Sequence, residues 1–144
     1  MIITQSDLSV KLYDEVIEEI TRADSSIVNN CIKNAIALAK AYMPRFDLDK
    51  LFGIGNAAPE VSSDFLKNIV IDITCWYLVR KANPNVNMET FRIDFEDAQK
   101  NLDKALSGKL SPPEWPLKPV NAANDTHPGE TVTWSSNPKR NNHF

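Results

Sequence analysis

Hydrophobic and polar positions along this chain follow the helical period, and the apolar ones are densest from Phe65 to Val79, FLKNIVIDITCWYLV. Only Lys67, Asn68, Asp72 and Thr74 interrupt that run. Phe65, Ile69, Ile73 and Trp76 fall on one side of a helical wheel, and Ile71, Cys75, Leu78 and Val79 on another. A helix that is apolar on several sides is packed on several sides. It is too short and too interrupted to span a bilayer, which asks for roughly 20 consecutive apolar residues. The pattern predicts a central apolar helix over about residues 62–82 and, around it, a small all-α bundle of four to five helices.

The flanking pattern supplies the other members. Thr4 and Asp7 stand in the spacing of a capping box, with Asp in place of Glu, so a short helix opens near Gln5. Leu8, Leu12, Val16 and Ile20 then step by four, with Glu15, Glu18 and Glu19 on the polar side, and a break near Ser9 divides the stretch into two. Asp24, Ser25 and Ser26 form the next cap cluster. Behind them Ile27, Cys31, Ala35, Leu38 and Tyr42 make a stripe that predicts a helix from about Ser26 to Met43, stopped by Pro44. Ser62 or Ser63 caps the central helix, with Asp64 at its positive end. Asn83-Pro84-Asn85 is a break, and Asn87 caps a last helix in which Phe91, Phe95, Ala98, Leu102 and Ala105 share a face and which Gly108 ends.

Two stretches do not fit a helical period. Residues Arg45 to Ser62 contain Gly53, Gly55, Asn56 and Pro59, so they read as a loop with one helical turn at Asp47–Leu51. Phe46, Leu48, Leu51 and Phe52 give it more apolar surface than a solvated loop needs. It either folds back on its own core or docks on another subunit. From Ser111 to Phe144 the chain holds six of its nine prolines and no helical period, with Trp115, Leu117, Val120, Val132, Trp134 and Phe144 standing alone. Glu130 to Trp134 alternates like a strand. The division is a helical domain over 1–110 and an extended or disordered Pro-rich C-terminal tail over 111–144, which orders against a partner or lies on its own domain. Phe46, Leu48 and Phe52 in the loop, with Trp115, Trp134, Arg140 and Phe144 in the tail, are the candidate partner-binding residues.

Composition narrows the chemistry. A formal net charge of −3 argues against a surface built to neutralise nucleic-acid phosphates. The opening MIITQSDLSV has neither a basic leader nor an apolar signal core, so secretion is not expected. Cys31 and Cys75 lie in apolar helical contexts with no CxxC and no nearby histidine, and read as two buried thiols of a reducing compartment. His127 and His143 are both in the tail, leaving the helical domain without a His-based acid, base or metal site. Gly53-Ile54-Gly55 is too little for a phosphate loop. Asp72, a charge in the middle of the central helix, reads as a structural buried polar residue that bonds a neighbouring helix terminus or an arginine, for which Arg22, Arg45 and Arg80 are the candidates. No catalytic residue, cofactor or metal is expected.

The order of these elements resembles the small head–tail joining (connector, or head-completion) proteins of Mu-like and related tailed phages and prophages. The resemblance rests on Ile3 to Leu8, on Ser25 to Tyr42, on Leu66 to Leu78 with its Asp72-Ile73 pair followed by aromatics and Leu, and on Phe95-Glu96-Asp97-Ala98 to Leu102 closed by Gly108-Lys109. Ser136 to Arg140, with Phe144, is similar to the short basic-aromatic endings of some members. The resemblance implies a structural protein, not an enzyme, found in the virion and in the bacterial host cytoplasm during assembly. Copies would form a homo-oligomeric ring that joins the portal of the head to tail or stopper proteins. DNA would pass through the ring without specific binding, and an acidic lumen suits that passage. No membrane is involved. The alternative is a helical regulatory or DNA-binding domain, which would bind duplex DNA in a salt-dependent manner.

Overall fold

The computed structural model describes residues 1–82 and 85–119. Within them the chain is all-α, with no strand. A 3₁₀ segment, Gln5–Val10, is followed by α1 (Asp14–Thr21), α2 (Ser25–Ala41), the short α3 (Leu48–Phe52), α4 (Asp64–Val79) and α5 (Met88–Leu106). The break expected near Ser9 falls at Lys11–Tyr13.

Apart from α1, which follows Tyr13 without a side-chain cap, each element starts where a side chain can occupy free backbone amides. The Asp7 carboxylate accepts from both the N–H (2.6 Å) and the hydroxyl (2.8 Å) of Thr4. Asp24 accepts from the Ser26 N–H, Asp47 from that of Lys50, Ser63 from that of Leu66 and Asn87 from that of Glu89. Such caps stabilise a helix by about 1 kcal/mol each and fix where it begins. α5 ends through Gly108, whose φ of +76° suits glycine; a Cβ there would also run into the Arg45 guanidinium. After α3, Gly53 holds φ +79° and ψ 161°, a conformation open in practice only to glycine, and its Cα faces the Ala57 carbonyl with no room for a methyl group.

The core gathers on α4. Leu66, Ile69, Val70, Ile71, Ile73, Thr74, Cys75, Leu78 and Val79 are all buried, which places apolar side chains on every side of that helix. Its main neighbours are α5 and α2, and α1 and the 3₁₀ segment touch it as well. α2 meets it through Val28, Cys31, Ile32, Ala35 and Ala39, where the two alanines let the helices approach closely. The face of α5 is thinner: Ala98, Leu102 and Ala105 are buried, whereas Phe91 and Phe95 are half-buried. Phe95 stacks on Trp76 at 5.9 Å between ring centroids, and Arg80 stands over the same Trp76 ring.

Candidate functional site

The loop and the start of the tail were the expected partner-binding surface, and they meet at one place in the fold. Phe46 and Trp115 are buried and cross edge to face, 5.2 Å apart with an interplanar angle of 89°. Phe65, at the start of α4, lies 6.1 Å from the Trp115 ring. Backbone bonds clamp the two segments: the Asp47 N–H donates to the Pro116 carbonyl and the Lys118 N–H to the Arg45 carbonyl, both at 2.9 Å. These make an isolated antiparallel bridge between Phe46 and Leu117.

A polar relay completes the junction. The Trp115 indole N–H donates to Ser63 Oγ (2.9 Å), the same oxygen that caps α4 by accepting from the Leu66 N–H (3.3 Å), while the Ser63 hydroxyl reaches Glu114 (3.3 Å). A buried tryptophan needs an acceptor for its N–H, and the cap serine supplies one. Trp115 is therefore a core residue in this chain, and residues 111–119 lie against the helical body. Of the two expectations for the tail, residues 111–119 take the one in which it lies on its own domain, and Trp115 is engaged there instead of standing free for a partner.

The loop behaves in the same way. Phe46, Leu51 and Phe52 are in the core and Leu48 is half-buried, so of the two expectations for Arg45 to Ser62 the structure has the loop folded on its own body. What stays outside is its tip, where Ile54 is exposed. Trp134, Arg140 and Phe144, and the strand expected at Glu130 to Trp134, lie outside the described residues.

Asp72 is half-buried, and its partner is Lys11 instead of Arg22, Arg45 or Arg80. Lys11, in the break before α1, reaches Asp72 on α4 and also Asp94 on α5 (2.7 Å), tying three segments through one ammonium. Asp72 Oδ1 is buried and meets that ammonium as a charge, without the alignment of a hydrogen bond. Burial holds the Asp72 carboxyl above the ordinary aspartate range; Lys11 opposes the shift, and Asp94 and Asp97 add to it. Burial pulls Lys11 down, but Asp72 and Asp94 outweigh it and leave the ammonium above the ordinary lysine value.

The two shifts have different consequences. A carboxyl raised by folding contributes stability that is fully present below its unfolded pKa and lost as pH rises through the folded one. Lys11 contributes below the unfolded lysine pKa and loses that contribution only in alkali, as pH rises through its raised folded value. The stability difference between the wild-type chain and Asp72→Asn therefore favours the wild type most in acid and shrinks as pH rises from about 3.5 to about 7. Urea unfolding at the two pH values reads it; a gap that widened towards neutrality would show the ion pair outweighing the burial.

The thiols are both free and buried. Burial pushes Cys75 up to about 12 and Cys31 upward as well, so neither is poised to react. Among the described residues no group of three or more His, Cys, Asp or Glu side chains is placed to hold a metal ion. No helix among them is long and apolar enough to cross a membrane.

Sequence reasoning missed two features. Helical period alone assigns Lys11 to no face, since it sits in the break between two helices. Nor did it single out Val10 and Tyr13, which lie beside the Leu8–Leu12–Val16–Ile20 stripe and are 75% and 77% exposed. Comparisons with protein-family models, with curated proteins and with solved structures each find no match to this chain.

Proposed function

We propose that this chain is a structural assembly protein of a tailed phage or prophage, an adaptor subunit of the ring that joins the portal of the head to the tail. It works without catalysis, as a small bundle organised around α4, in the assembling virion within the host cell. Its partners are portal and tail or stopper proteins, with further copies of itself, and DNA slides through the ring without being bound.

One observation carries this reading. The four stretches on which the resemblance to head–tail joining proteins rests fall, in order, on the 3₁₀ segment, α2, α4 and α5. The capped Ile3–Leu8 stretch opens the fold, Ser25–Tyr42 coincides with α2, Leu66–Leu78 lies within α4, and the Phe95–Leu102 stretch runs in α5 to its Gly108 stop. What supports the reading is that three of the stretches behind the resemblance are helices of the bundle and the first opens it.

Removing the gene from the phage or prophage that carries it tests the proposal. DNA-filled heads and separate tails, joined again when the gene is restored, are the expected result. Complete, infectious particles made without it would overturn the role.

A further inference from the structure

Two surface features of unlike character remain after the core is accounted for. The first is a ridge. Val10 and Tyr13 are 75% and 77% exposed, and the chain continues at once into Asp14, Glu15, Glu18 and Glu19, all exposed on α1. None of those four carboxylates has a basic partner within salt-bridge distance among the described residues. Two large exposed apolar side chains next to four carboxylates without a basic partner give this end of the chain an apolar spot bordered by negative charge.

The second is a groove of about 460 Å³ between α2 and the loop that follows α3. Met1, Ile36, Ala37 and, at its buried base, Phe52 are its apolar lining, Lys33 and Lys40 are its charged side chains, and no carboxylate lines it. Lys40 leans over the Phe52 ring at 5.4 Å, and neither lysine is in a salt bridge among the described residues. Lys33, Ile36, Ala37 and Lys40 follow one another at three- and four-residue steps, so they form one face of α2, turned away from the residues that meet α4.

We infer that the groove of one copy receives the Val10–Glu19 ridge of a second copy, with Tyr13 and Val10 against Ile36 and Ala37 and the α1 carboxylates against Lys33 and Lys40. Charge complementarity selects this occupant: the ridge is acidic with an apolar tip, and the groove is basic with an apolar floor. The ridge does not serve its own groove, since Tyr13 and Val10 stand exposed. Because donor and acceptor are different patches, each copy that gives its ridge still offers its groove, and the contact repeats head to tail, as a ring requires. The inference deepens the adaptor reading and rests on it for the closed ring. A single contact of this size is weak in solution and gains from closure, where each subunit is held on both sides.

Sedimentation equilibrium of the full chain at high concentration and low salt tests it, with folding of each variant checked by circular dichroism. The wild type associates beyond a dimer, and raised salt weakens the association. Tyr13→Ala, which removes an exposed side chain, and Lys33→Glu/Lys40→Glu each raise the dissociation constant by roughly tenfold or more. Mixed together, these two variants form one-to-one pairs and stop, because one groove and one ridge remain intact. Association that survives either variant alone, or a mixture that does not pair, overturns the inference and leaves the adaptor reading standing. A wild type that stays monomeric at every concentration overturns the inference also. A wild type that stops at a dimer dissolved by both variants upholds the contact and contradicts the ring.

Discussion

Trp115→Ala lowers the stability of the helical body by about 3–5 kcal/mol, the cost of emptying a large buried aromatic site. The indole lies between Phe46 and Phe65 and bonds the cap of α4, so its loss opens a cavity and frees residues 111–119 together. Trp115→Phe keeps most of the packing and gives up the bond to Ser63, so it costs less, with about 1 kcal/mol belonging to the lost hydrogen bond. Chemical denaturation followed by circular dichroism at 222 nm reads both without relying on tryptophan fluorescence. By the same account a chain ending at Leu110, which loses the clamp and the indole together, is destabilised as Trp115→Ala is. Had Trp115 been a docking anchor for a partner, its removal would leave stability unchanged and abolish assembly alone.

A comparison of two isoleucines gives the second large effect. Ile73 on α4 is fully buried, and Ile93 on α5 is 47% exposed. Ile73→Ala costs about 2–5 kcal/mol, the range for deleting a buried aliphatic side chain from a close-packed interior. Ile93→Ala stays within about 0.5 kcal/mol of the wild type, as substitutions outside the core do. Global stabilities of 5–15 kcal/mol are usual, so the first change consumes a large part of the total and the second leaves it intact. Equal effects at the two positions would mean that α4 is not the element on which the other helices are packed.

The pattern of the chain reveals those features that depend on neighbours in sequence. Thr4 with Asp7, Asp24, Ser63, Asn87 and Gly108 mark the helix ends because a cap acts within one turn. The burial of α4 on most of its circumference is visible in FLKNIVIDITCWYLV because no other disposition hides so many apolar side chains. What escaped notice is long-range and lacks a period. Trp115 is 52 positions from Ser63, and nothing in the Pro-rich segment around it says that its N–H has an acceptor waiting at a helix cap. Its setting reads equally as a solvated tail, and only packing decides. Lys11 is a similar case: an arginine was the expected partner for Asp72 because arginine suits buried pairs, but the break before α1 carries a lysine to within reach of two carboxylates. For the loop at residues 45–62, composition left two outcomes open, and the buried Phe46 and Phe52 show which one the fold adopts.

The burial of these aromatics shifts where an adaptor would make its contacts. Phe46, Phe52 and Trp115 are engaged within the chain, so under the proposed adaptor role the surface for neighbouring subunits would be drawn from what remains outside: the Val10–Glu19 ridge, the groove beside α2 and the loop tip at Ile54. Assembly would then rest on modest, charge-guided patches. Such patches bind weakly one at a time and hold when every subunit is engaged on both sides.

The most direct test of the structural-adaptor account is the mass of the full chain measured by size-exclusion chromatography with light scattering, alone and with the portal oligomer of the same particle. The account predicts that the chain co-elutes with the portal as a complex holding several copies, at a fixed number per portal ring. A chain that elutes as a monomer in both runs, with the portal unchanged in mass, would contradict it.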